Sequence, residues 1–76
     1  MTITVRYFAS LKERIGRTQD QLAYRDHLTV LNVWQLLNNQ ELPANTLTAV
    51  NMDYVELDYV VHDGDEVAFF PPVTGG

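Results

Sequence analysis

Few side chains of this 76-residue chain are equipped for chemistry. It contains no cysteine, which removes disulfides, thiolate metal sites, iron–sulfur ligation and thiol nucleophiles together. The single serine, Ser10, fits a helix-capping role with Glu13. His27 and His62 are far apart in sequence and lack companions at metal-ligand spacing, so both read as surface or half-buried histidines. Asp63-Gly64-Asp65-Glu66 lacks the longer alternating ligand loop of a calcium site and reads as a solvated turn. Gly16 and Gly64 are isolated, so no glycine-rich loop is present to cradle a phosphate.

The remaining chemical group is at the chain end, Phe70-Pro71-Pro72-Val73-Thr74-Gly75-Gly76. Pro71 and Pro72 fix φ and project the tail in extended form. Gly75 and Gly76 lack Cβ atoms, so the tip can enter a passage too narrow for other residue types. The tip carries the Gly76 α-carboxylate, a poor electrophile and a weak nucleophile. Another protein could activate it, for instance by adenylation with ATP. Sulfur displacing AMP would then leave a thiocarboxylate, and the carrier would need no thiol of its own. A frayed terminus that happens to end in glycines is the plain alternative. The coupling of Gly-Gly to Phe-Phe-Pro-Pro at a strand end argues against it.

The elements that must hold this tail are readable from periodicity. Thr2–Phe8 alternates, with Ile3, Val5 and Tyr7 on one parity and Thr4, Arg6 and Phe8 on the other, which predicts a strand. Ser10 to Gly16 predicts a short helix closed by a left-handed glycine. Gln19–Tyr24 is a second strand candidate and a hairpin partner for the first. Thr29 predicts an N-cap for a helix over Val30–Asn39, with Val30, Val33, Trp34 and Leu37 on one face and Pro43 beyond its end. Short strands are expected at Leu47–Asn51 and Tyr54–Glu56, a turn at Asp63-Gly64, and a last strand over Glu66–Phe70. One long helix packed across a mixed sheet, with one short helix, is the economical α+β solution for this order.

Parity adds a second feature. In the last strand Val67 and Phe69 alternate with Ala68 and Phe70, so apolar residues occupy both faces. With the helix on one face, Phe8, Ala68 and Phe70 would lie on the other, joined by Tyr54. Such an aromatic patch beside a projecting tail would mark a protein interface, unless loops cover it.

Composition limits the partners. The chain carries 10 acids against 5 scattered bases, net −5, which argues against nucleic acid. No apolar run approaches the roughly 20 residues of a membrane span. The N-terminus alternates instead of forming a signal core, so a cytoplasmic location is expected.

At Asp63–Gly76 the sequence resembles the C-terminal signature of the small-subunit family of molybdopterin synthase (the MoaD family). Tyr7-Phe8-Ala9-Ser10-Leu11-Lys12-Glu13 with Gly16, and Ala49-Val50-Asn51, resemble that family's other landmarks. The resemblance spans the chain and is weakest over Arg17–His27 and Asn38–Thr46. It implies a β-grasp, or ubiquitin-like, sulfur carrier: a domain over residues 1–70 and a flexible Gly-Gly tail over 71–76. It implies no cofactor bound by this chain, and no catalysis by it alone. An E1-like, MoeB-type enzyme would use ATP to adenylate Gly76, and a sulfurtransferase would supply sulfur. The thiocarboxylate would then enter the large subunit, MoaE, which binds cyclic pyranopterin monophosphate, in a heterotetramer. The resemblance places Gly75 and Gly76 at the reactive tip. Phe8, Tyr54, Ala68 and Phe70, with Pro71, Pro72, Val73 and Thr74, would face the partner. A ThiS-type carrier for thiazole synthesis, a ubiquitin-like protein modifier and a purely non-covalent binding module remain open at this point.

Overall fold

A computed structural model describes residues 1–72. Five strands and two helices follow in the order β1 (Thr2–Tyr7), α1 (Ser10–Ile15), β2 (Gln19–Ala23), α2 (Val30–Leu37), β3 (Leu47–Val50), β4 (Asp53–Tyr54) and β5 (Glu66–Phe70). They form one mixed sheet in the order β2-β1-β5-β3-β4. The N- and C-terminal strands, β1 and β5, lie side by side and parallel at its centre, while the other pairings are antiparallel. This is the β-grasp arrangement implied by the family resemblance, and it satisfies the α+β layout expected from the element order.

Alternation decides which residues enter the core. Val5 pairs with Val67, and Tyr7 pairs with Phe69, so Ile3, Val5, Tyr7, Val67 and Phe69 share one face and are buried. The apolar stripe of α2 covers that face through Val30, Val33 and Trp34. Trp34 meets Phe69 edge-on at 5.1 Å and Tyr7 at 6.0 Å, while Tyr7 stacks on Phe69 at 6.1 Å. The Trp34 indole N–H donates to the Gln40 carbonyl at 2.9 Å, which ties the segment after α2 to its own helix.

Thr29 caps α2 as expected, and the cap is reciprocal. Its hydroxyl accepts from the Asn32 N–H at 3.1 Å, while the Asn32 side chain accepts from the Thr29 N–H at 3.1 Å. The helix stops at Leu37, two residues earlier than expected. Asn38 turns to extended backbone, and its buried amide donates to the Tyr7 hydroxyl at 3.2 Å while its carbonyl oxygen accepts from Arg17 at 2.7 Å.

Three local readings need correction. Ser10 does not cap α1: Ala9 occupies the cap position with φ 53, and no side chain bonds there. Phe8 is still held in the ladder, donating to the Phe69 carbonyl at 3.1 Å, so the reversal into α1 falls on Ala9. Strand β4 is Asp53–Tyr54, not Tyr54–Glu56, because Asn51 and Met52 reverse the chain in two residues. Strand β3 accordingly ends at Val50. The C-cap expectation at Gly16 holds: φ is 81 and its N–H donates to the Lys12 carbonyl at 2.9 Å.

Candidate functional site

The sheet face opposite α2 carries the site. Pairing aligns Arg6, Ala68, Ala49 and Tyr54 in one row across four strands. One step toward the strand ends, Phe8 stacks on Phe70 with centroids 4.7 Å apart and planes 9° from parallel. Tyr54 meets Phe70 edge-on at 6.4 Å. The two alanines are a small-residue floor between larger side chains, and the result is a groove of about 300 Å³. Met52 and Glu66 complete its lining.

Phe8, Tyr54, Ala68 and Phe70, expected from parity to share the second face, are thus brought together. Ala68 is buried as floor, whereas Tyr54 is 73% exposed. Among the described residues, no loop covers the face. Pro71 and Pro72 leave β5 directly from Phe70, the first half-buried and the second exposed. Val73, Thr74, Gly75 and Gly76, expected to form the rest of the tail and its reactive tip, lie outside the described residues.

The groove also has charged residues that the sequence reading did not single out. The Arg6 guanidinium sits 5.3 Å from the Phe8 ring centroid, a cation–π contact, and 3.9 Å from the Glu66 carboxylate. Both ends of that ion pair are about half exposed, and at this length it contributes little to stability.

Asp65 is a second residue whose role was missed. The Asp63–Glu66 segment is not merely a solvated turn, because Asp65 is 8% exposed. Its carboxylate accepts from the His62 N–H at 2.7 Å and from the Asn51 side-chain amide at 2.8 Å. Asn51 in turn accepts from the Glu66 N–H at 3.0 Å and donates its own N–H to the Glu66 carbonyl at 2.8 Å. This clasp fixes the β3–β4 turn against the start of β5. The sequence signal was an acid directly after the Asp63-Gly64 turn and two residues before the apolar run that starts at Val67, a pattern that periodicity alone does not distinguish from a surface turn.

His62 is mostly exposed, with Nδ1 3.8 Å from the Asp65 carboxylate, and His27 is exposed, so both histidines are where they were expected. Among the described residues no three His, Asp or Glu side chains are grouped to hold a metal ion. No helix there is long and apolar enough to cross a membrane. A larger hollow of about 1120 Å³ lies between α2, the segment 38–48 and residues 54–57, and shares only Tyr54 with the groove.

A second polar cluster sits on the α2 side. The Tyr7 hydroxyl donates to Asp20 at 3.0 Å, and Arg17 donates to the same carboxylate oxygen at 2.8 Å. Burial of Tyr7 holds its phenol above the ordinary value of 10.0. The hydrogen bond to Asp20 raises the Arg17 guanidinium as well. These groups bridge β1, β2 and the end of α2, on the face away from the groove, and read as structural.

The sheet order, the helix packed across one face and the C-terminal segment leaving β5 define a ubiquitin-like β-grasp protein. Comparison with known proteins places this chain within that class. The family model of the ThiS family matches residues 5–76, and the chain belongs to the ThiS family. It is 39% identical over 82 residues to the molybdopterin synthase sulfur carrier subunit of Escherichia coli K12, covering 97% of this chain and 99% of that one. The corresponding subunit of Haemophilus influenzae is 37% identical over 83 residues, covering 97% and 99%. Among solved structures, the crystal structure of SAMP1 from Haloferax volcanii superposes with a TM-score of 0.81 at 25% identity, over 100% of both chains.

Proposed function

We propose that this chain is the sulfur carrier subunit of a molybdopterin synthase and that its reactive group is the Gly76 carboxylate. The observation that carries the reading is full-length likeness, at 37–39% identity, to two sulfur carrier subunits of that synthase. The groove formed by Phe8, Tyr54 and Phe70 supports it, because an aromatic docking face adjoins the segment that leads to the proposed reactive end.

The proposed cycle uses no side-chain catalyst from this chain. An E1-like enzyme transfers AMP from ATP to the Gly76 carboxylate, releasing pyrophosphate. The terminal sulfur of a sulfurtransferase persulfide attacks the acyl adenylate and expels AMP, and a thiol reductant cleaves the resulting acyl disulfide to leave a thiocarboxylate. The domain over residues 1–70 then docks its groove on the large subunit, and the tail over 71–76 delivers sulfur to cyclic pyranopterin monophosphate held there. Phe8, Tyr54, Ala68, Phe70, Pro71, Pro72, Val73 and Thr74 form the contact in this reading, and Gly75 lets the tip pass. Two transfers build the dithiolene and regenerate the carboxylate each time. The reading places these steps in the cytoplasm, with the small subunit acting as donor and the large subunit as catalyst.

The test is a reconstitution. Thiocarboxylated chain, large subunit and pterin precursor should give dithiolene with return of the carboxylate. Deleting Gly76 should abolish transfer while leaving the fold and docking intact. Transfer undiminished by the deletion would overturn the assignment, and covalent adducts on other proteins would favour a modifier.

A further inference from the structure

The turn between β3 and β4 is built from Asn51 and Met52, with φ of 50° and 73°. Two left-handed residues between directly paired strands make a type I′ hairpin, which favours Asn-Gly because only glycine adopts the second position freely. Asparagine tolerates the first position. A methionine at the second is strained, since its Cβ crowds the backbone in the left-handed region.

Among the described residues, packing of the Met52 side chain does not repay that strain. Met52 is 91% exposed and lies outside the buried core. Its turn is nevertheless held firmly. Asn51 makes three hydrogen bonds, one to the buried Asp65 and two to the Glu66 backbone, at 2.8 to 3.0 Å. The clasp therefore fixes where residue 52 is presented, and Met52 lines the groove together with Tyr54, Phe8 and Phe70. A thioether is apolar, polarisable and unbranched, and adapts its shape to whatever closes over it.

We propose that Met52 is a partner-contact residue, retained against backbone strain because the large synthase subunit packs on it at the rim of the groove. Asp65 and Asn51 are the positioning residues for that contact. This rests on the reading of the groove as the docking face. The partner surface it calls for is apolar, continuous with the one that covers Phe8 and Phe70.

The test compares Met52→Gly, Met52→Leu and Phe8→Asp in the full chain, with thermal melts and calorimetric titration against the large subunit from the same organism. Met52→Gly should melt at the wild-type temperature or higher, because strain is relieved, yet bind about fivefold or more weakly through the lost contact. Met52→Leu should bind within about twofold of wild type, since it keeps the strain and the apolar volume. Wild-type affinity of Met52→Gly alongside a strongly weakened Phe8→Asp would overturn the role of Met52 and leave the groove reading standing. Wild-type affinity of both would overturn the groove reading itself. A lower melting temperature for Met52→Gly would overturn the proposal by showing that the side chain serves the fold.

Discussion

Replacing Phe70 by aspartate separates folding from docking. In the free chain Phe70 is half-buried, stacked on Phe8 at 4.7 Å and edge-on to Tyr54 at 6.4 Å. Losing the aromatic pairs costs about 1 kcal/mol, and losing the partial burial costs about 1 more. The new carboxylate remains in reach of water at the groove mouth, so no desolvation penalty is added to folding. A total of about 2 kcal/mol lowers the melting temperature of a domain this size by about 10 °C and leaves it folded, given a typical stability above 5 kcal/mol. Docking is affected far more. A partner that covers the groove strips water from an unpaired charge, at a cost of about 3–5 kcal/mol. Arg6 lines the same groove and is only loosely paired with Glu66, so it recovers part of that penalty. The expected loss of affinity for the large subunit is therefore at the lower end, about 100-fold, read by isothermal titration beside a circular-dichroism melt. A folded Phe70→Asp chain that binds within about threefold of wild type would refute the assignment of this groove as the docking face.

Two further outcomes concern the scaffold. Burial raises the Tyr7 phenol above 10.0, so the folded chain holds that proton more tightly than the unfolded one. This contribution is fully present below pH 10 and is lost as pH rises through the folded value. Stability should fall on the alkaline side, and Tyr7→Phe should flatten that slope while costing about 1 kcal/mol at pH 7, both read by urea titration. Asp65→Ala leaves the His62 N–H and the Asn51 amide without an acceptor near a buried site, so it should cost about 2–3 kcal/mol in the same assay. A change below about 0.5 kcal/mol would show that the clasp does not fix the turn.

Much of this architecture was legible because it rests on alternation and spacing. The parity of Ile3, Val5 and Tyr7 against Arg6 and Phe8 gave the faces of β1, and the double-sided apolar pattern of Val67–Phe70 gave both the core and the groove. Thr29 and Gly16 were readable because capping has a local chemical signature. What escaped depended on contacts between residues distant in sequence. Ser10 resembles a cap, but the ladder bond from Phe8 to Phe69 moves the reversal to Ala9. Asp65 resembles a surface acid until Asn51, 14 residues away, is brought beside it. Asn38 resembles a helix-ending turn residue until its amide reaches Tyr7, 31 residues away. Met52 carries no local mark at all, since its strain exists only once the β3–β4 pairing fixes the turn length.

The central claim is that the chemistry of this chain resides in the Gly76 carboxylate. Intact-mass spectrometry tests it most directly, after incubation of the chain with the adenylating enzyme, ATP and a sulfur donor. The expected product has one oxygen replaced by sulfur, and fragmentation localises the change to Gly76. An unchanged mass, with partners shown to thiocarboxylate another carrier in the same mixture, would contradict the claim.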